Sequence, residues 1–245
     1  KAKFMQDKLQ ALFKTTHMQH AGHGGLPCRP SMNPCTITTA LVKSCERVED
    51  RGRWRVYDAK RSQIAAEIKS RPQSTGVTLG RSHPAGDRPL TTVRLDAMGV
   101  LPDLCSEINE VYVWHGFDYE HLEAIKQSGL DFRRASDSGL YGSGSYFAEN
   151  SCKCNQYVQN FSDRGSQTTG KPYAVLLCRV VLGDVYHTST QMKGARLPPA
   201  NPRHSKAGGL HDSVVACGAS QVHREFIVFD NSQVYPEYIV HFEYT

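Results

Sequence analysis

Residues 142–149 read Gly-Ser-Gly-Ser-Tyr-Phe-Ala-Glu, and the way this stretch folds decides the class of the whole chain. Two glycines one residue apart invite comparison with the dinucleotide fingerprint G-x-G-x-x-G, which sits between a strand and a helix. The third glycine is missing, because Phe147 stands in its place. The residues that follow read as a strand, where the fingerprint needs a helix. The glycines therefore make a tight turn that leads into a strand at Tyr146, and a doubly wound nucleotide fold is a poor reading of the stretch.

The neighbouring segments agree. Downstream, the pattern predicts a helix over 151–161 and strands over 173–186, 225–230 and 234–244. Upstream, TTVRL (91–95) and VYVWH (111–115) read as strands with a short helix between them, and a helix over 119–128 stops at Gly129. Residues 70–90 carry Pro72, Gly76, Pro84, Gly86 and Pro89 and read as a loop or insertion. A helix over 51–69 places Trp54, Tyr57, Ile64, Ala65 and Ile68 on one stripe, which core packing explains fully. A strand is expected over 37–48, a loop over 15–36, and a helix over 4–13 with Phe4, Leu9, Leu12 and Phe13 on one side. Many strands with few helices between them imply an α+β fold. The expected division is an N-terminal helix and loop extension (1–36) followed by one catalytic-sized domain (37–245).

Bulk properties narrow the class further. The chain has 245 residues, 39% of them hydrophobic and 22% charged, enough for a packed core. No apolar run approaches the roughly 20 residues that span a bilayer, so no membrane partner is expected. Net charge is +5, with 29 Lys and Arg against 24 Asp and Glu. Basic residues crowd 51–71, where a solvated helix face is the preferred reading over a nucleic-acid footprint. The eight cysteines are sparse for a disulfide scaffold, and only Cys152 and Cys154 stand close together. They read as reduced thiols in an intracellular compartment, nuclear or cytoplasmic, and no metal is expected.

Two residues carry chemical weight on their own. His115 ends an apolar strand, a place where packing is the ordinary role. Glu225 opens EFIVFD on the face of Ile227 and Phe229, where a carboxylate is costly unless it is paired, exposed to a cleft or catalytic.

Taken together, VYVWHG (111–116), GLYGSGSYFAENSCKCNQY (139–157), GLHDSVVACG (209–218), EFIVFD (225–230) and VYPEYIVHF (234–242) resemble, in order, the poly(ADP-ribose) polymerase catalytic domain among the diphtheria-toxin-like ADP-ribosyltransferases. YFAENSCKCNQY is especially similar to tankyrases, and CERVEDRGRWRVYDAKRSQI (45–64) resembles the strand and helix with which the domain begins. The resemblance implies two packed, mostly antiparallel sheets with a few flanking helices. It also implies NAD as a co-substrate and protein acceptors, and it leaves open whether the chain itself is one of them, along with nucleic-acid partners and oligomeric state.

Carried over by position, His115, Tyr146 and Glu225 are the expected catalytic set. His115 would bind the adenosine-side ribose, and Glu225 the ribose 2′-hydroxyl. The Gly116 backbone would grip the nicotinamide carboxamide, with Tyr146 and Tyr157 on the two faces of the ring. Cys154, Phe147 and Ala148 join the NAD-binding positions, and Asp131 falls in the donor loop near the adenine. Two positions depart from the family: Phe117 replaces a small hydroxyl residue after His-Gly, and Cys154 replaces the serine that contacts the carboxamide. The cysteine pattern of the tankyrase zinc insertion is absent after residue 157. No helical regulatory bundle precedes the domain in this chain, so activity independent of DNA breaks is expected. The expected reaction is NAD cleavage with ADP-ribose transfer to protein, extending to poly(ADP-ribose). The alternatives are mono-ADP-ribosyl transfer, or a catalytically weak NAD- or protein-binding module of the same fold.

Overall fold

The computed structural model describes residues 2–17, 40–71, 88–134, 139–158, 169–217 and 223–245. Its elements are α1 (Ala2–Thr15), β1 (Ala40–Arg47), α2 (Arg51–Lys69), α3 (Leu90–Met98), β2 (Glu110–Gly116), α4 (Leu122–Ser128), β3 (Ser145–Ala148), α5 (Ser151–Cys154), β4 (Tyr173–Val181), β5 (Val185–Thr188), β6 (Ser213–Ala216), β7 (Glu225–Val228) and β8 (Val234–Tyr244). The strands form one ladder in the order β1-β8-β4-β2-β3-β7-β6-β5. Neighbours are antiparallel except β5 and β6. The two expected sheets are thus two halves of one ladder. Their joint is slight: β2 and β3 pair only through Trp114 and Ala148.

Alternation on β4 shows where the core lies. Tyr173, Val175 and Leu177 enter a cluster with Leu9, Leu12 and Phe13 of α1, Leu95 of α3 and Cys152 and Cys154 of α5. Ala174, Leu176, Cys178 and Val180 face the other way, toward Phe117, Leu122 and Phe147. Both faces of the strand are therefore covered, and each buried aliphatic side chain contributes about 1.5–3 kcal/mol. The helix assigned to the N-terminal extension shares this core: Leu9, Leu12 and Phe13 are all fully buried.

Helix α2 spans the expected range, begins where Asp50 caps the Arg53 N–H, and buries the expected stripe against Ile108, Val181 and Tyr235. The strand expected at 91–95 is instead part of α3. Its β-branched residues suggest a strand, yet Thr91, Thr92 and Leu95 are buried at helical spacing while Val93 is exposed. Thr92 Oγ1 donates to the Tyr112 carbonyl and accepts from its N–H, so a helix docks with hydrogen bonds where a strand would have needed a ladder. Gly99, at φ +60°, ends it.

The single strand expected over 173–186 is two. Gly183 lies at φ +59°, and a Cβ there would meet the Asp212 side chain at 2.3 Å. The chain turns at this point and resumes as β5 at the opposite edge of the sheet. The helix expected over 151–161 is one short α-turn continued by a 3-10 turn at Asn155–Tyr157; 159–161 lie outside the described residues, as do most of the expected loops at 15–36 and 70–90. Strand β6 was not anticipated, because four buried residues give too short a pattern. Among the described residues no helix is long and apolar enough to cross a membrane.

Candidate active site

The weak joint between β2 and β3 lies beside a cavity of about 1090 Å³. That is near the upper end of the range for small-molecule pockets. His115 and Gly116 line it from β2, Ser145 to Ala148 from β3, Glu225 from β7, and Lys153, Cys154 and Tyr157 from the α5 turn. Register accounts for the convergence. Ala148 pairs with Trp114 on one side and with Glu225 on the other, which draws the ends of the three strands together.

Hydrogen bonds and ion pairs fix the polar groups at the centre. His115 Nδ1 donates to the Tyr146 carbonyl at 2.7 Å, since a carbonyl can only accept. Burial lowers the imidazole pKa, and this hydrogen bond opposes the shift only in part. The ring is neutral and keeps Nε2 as an acceptor. Phe147 lies 5.3 Å from the ring and Phe117 stacks at 6.4 Å, so aromatic neighbours flank it. The Tyr146 hydroxyl accepts from the Tyr141 N–H at 2.8 Å and donates to the Gly142 carbonyl at 2.9 Å. Burial holds it well above the ordinary phenol range, so it remains a phenol with a fixed ring.

Glu225 meets Lys153, whose Nζ lies 2.8 Å from Oε1. Burial works against the ammonium, but Glu225 and Tyr157 more than offset it, and the Lys153 pKa is raised. Lys153 also donates to the Tyr157 hydroxyl at 3.3 Å and lies 5.3 Å from that ring's centre. Among the described residues Lys153 is the one partner of Glu225, although its side chain is only 6% exposed. A carboxylate held at one oxygen and facing a cavity is placed to stabilise positive charge on a ligand.

The walls are equally specific. A Cβ on Gly116 would lie 2.1 Å from the Cys154 carbonyl oxygen, so only glycine permits this close passage. Burial pushes the Cys154 thiol up to about 12, leaving it un-ionised beside Gly116. At the far end Asp131 is held well below the usual carboxylate range by Arg133, which contacts it from backbone and side chain. Asn231 ties this wall down, accepting from the Phe132 N–H at 2.8 Å.

All nine residues singled out from the sequence line this one cavity: Glu225, His115, Tyr146, Gly116, Tyr157, Cys154, Asp131, Phe147 and Ala148. Phe117, the departure after His-Gly, lines it too and is 7% exposed. Sequence reading missed Lys153. Its spacing of four from Tyr157, together with the need of Glu225 for a partner, was a usable signal. Asn231 gave none, being brought in by the fold alone. Among the described residues no group of three or more His, Cys, Asp or Glu could hold a metal ion.

The family model of the poly(ADP-ribose) polymerase catalytic domain matches residues 31–244. Protein mono-ADP-ribosyltransferase PARP12 of Mus musculus is 26% identical over 208 residues, 84% of this chain but 22% of that protein. Protein mono-ADP-ribosyltransferase PARP11 of Mus musculus is 28% identical over 149 residues, 56% of this chain and 43% of that protein. The chain thus spans less than half the length of these relatives.

Proposed function

The chain belongs to the poly(ADP-ribose) polymerase catalytic-domain family, and on that premise we propose that it cleaves nicotinamide from NAD and transfers the ADP-ribosyl unit to protein acceptors. One observation carries the reading: a buried carboxylate, with a single lysine partner among the described residues, shares a cavity with a neutral histidine and two tyrosines.

Breaking the nicotinamide–ribose bond develops positive charge on the sugar, as in glycoside cleavage. Glu225 supplies the opposing charge, with Oε1 held by Lys153 and Oε2 left for the ribose 2′-hydroxyl. Tyr146 and Tyr157 present aromatic rings to a cationic pyridinium. Gly116 lets the backbone approach the carboxamide, and the un-ionised Cys154 thiol beside it is a weak donor. His115 Nε2 accepts from a ribose hydroxyl at the adenosine end, where Phe117 offers an apolar ring in place of a second hydrogen bond.

For the product we propose single-unit transfer. The mono-ADP-ribosyltransferase names of the matched relatives support it over the chain elongation expected from the His115, Tyr146 and Glu225 set. Incubation with labelled NAD, measuring free nicotinamide and sizing the label on protein, tests both statements. One labelled unit per modified site is expected. A ladder of long polymer would overturn single transfer, and absence of nicotinamide release would leave a binding module of the same fold.

A further inference from the structure

Helix α1 lies before residue 31, where the family match begins, yet it is tied to the site on one side and to the sheet edge on the other. At the edge, Gln10 accepts from the Val42 N–H at 2.6 Å and donates to the Ala40 carbonyl, while Gln6 donates to the carbonyls of Val42 and Lys43. These amides satisfy β1 as a further strand would. At its other end α1 reaches the turn that carries Lys153, Cys154 and Tyr157. Ser151 Oγ donates to the Phe13 carbonyl at 2.6 Å, and Asn150 Nδ2 donates to the Thr16 carbonyl at 3.1 Å. Thr16 Oγ1 accepts from Trp114 Nε1, one residue before His115.

Asn150 faces two ways. Its Oδ1 accepts from His223 Nδ1 at 3.1 Å, two residues before Glu225. The preceding residue, Glu149, forms a two-pronged buried pair with Arg224, at 2.9 and 2.8 Å. Consecutive residues on the Lys153 side therefore clasp consecutive residues on the Glu225 side. Thr16, Asn150 and Ser151 are 3% exposed or less, so neither water nor slack accommodates a lost partner.

We propose that Asn150 is a positioning residue of the active site and that α1 acts through it: the Thr16 carbonyl and the His223 ring, bound at opposite ends of one amide, set the Lys153 turn against the strand of Glu225. The amide is suited to this because its donor and acceptor ends are fixed, so its two partners fix its orientation and with it the α5 turn. A displacement of about 1 Å between reacting groups can cost about a hundredfold in rate, and the Lys153–Glu225 contact spans exactly this joint. The inference rests on the proposed NAD chemistry for its rate consequence but not for its structural one.

The test uses the whole chain with Asn150→Ala, Asn150→Asp and Ser151→Ala. The Glu149–Arg224 pair remains in each and keeps the fold. In Asn150→Ala we expect kcat for nicotinamide release to fall roughly tenfold, with KM for NAD within about threefold. Amide hydrogen exchange over 151–157 and 225–228 should quicken roughly tenfold while β4 is unchanged. Asn150→Asp keeps the acceptor for His223 and loses the donor to Thr16, so it should match Asn150→Ala; wild-type exchange in it would remove α1 from the proposal. Ser151→Ala, the mildest change, should quicken exchange over 151–157 alone. Lower thermal stability with wild-type kcat and wild-type local exchange in Asn150→Ala would overturn the idea. Quicker exchange in a protein whose wild type releases no nicotinamide would sustain the brace and defeat the transferase reading.

Discussion

Two buried carboxylates, Glu110 and Glu225, stand in the same sheet and are treated in opposite ways. Glu110 accepts from Tyr57 Oη, Arg179 Nε and the Cys105 N–H, each at 2.7 Å, and Arg61 lies 3.3 Å away. Burial works against its charge, but these partners prevail and its pKa is lowered. Glu225 has Lys153 and an open cavity. The structural ion pair has both carboxylate oxygens engaged by protein donors. Glu225 is held by Lys153 at one oxygen and faces the cavity, as the proposed function requires of a group that meets a ligand.

The largest effect that would test this contrast is at the saturated site. Glu110→Ala leaves Arg179 buried without its partner, and a loss of about 3–5 kcal/mol in urea unfolding is expected, with kcat of the folded fraction unchanged. A fall in kcat without loss of stability would erase the distinction. Glu225→Gln should do the reverse: kcat for nicotinamide release drops about 10²–10³-fold with KM for NAD near wild type, while the urea midpoint falls less than in Glu110→Ala, because the Gln oxygen still accepts from Lys153. Gly116→Ala sharpens the second half of the contrast, since its methyl meets the Cys154 carbonyl at 2.1 Å. A stability cost of about 1–3 kcal/mol should accompany loss of NAD binding in calorimetry; unaltered binding would mean that this passage does not grip the ligand.

The smallest effect is in pH. His115 titrates below its ordinary value because burial disfavours the imidazolium. Its contribution to stability is therefore complete above the unfolded value of about 6.5 and is lost as pH falls through the lowered folded value. The same protonation removes Nε2 as an acceptor, so kcat/KM should show an acid limb below about pH 6.5. His115→Gln should flatten that part of the stability profile, and an unchanged profile would show that the ring is not the group responsible.

The lining of the cavity was more legible in the sequence than the bounds of the elements around it. The nine expected residues sit in short motifs whose order along the chain matches a family, and motif order survives errors in element assignment. The same reading put a strand at 91–95, where α3 lies, and ran 173–186 as one strand. Both errors have one cause. Residues such as Thr91, Thr92 and Val93 are compatible with either state until a partner is known, and Thr92 finds its partner only at Tyr112. Likewise an unbroken apolar run does not reveal that Gly183 sends its end to the other edge of the sheet.

By itself, then, the amino-acid order determined the α+β class, the helix at 51–69 with its buried stripe, the turn at Gly142–Gly144, and, through the order of its motifs, nine residues that line one cavity. The first three follow from local periodicity and backbone freedom, which act over a few positions; the last follows from the resemblance of the motifs, in their order, to a family. Tertiary structure alone decided that Lys153 holds Glu225, that Asn150 bridges Thr16 and His223, and that two halves of a sheet meet at a single residue pair beside the cavity. Those facts depend on register between strands far apart in the chain, where a shift of one residue would turn each side chain to the opposite face.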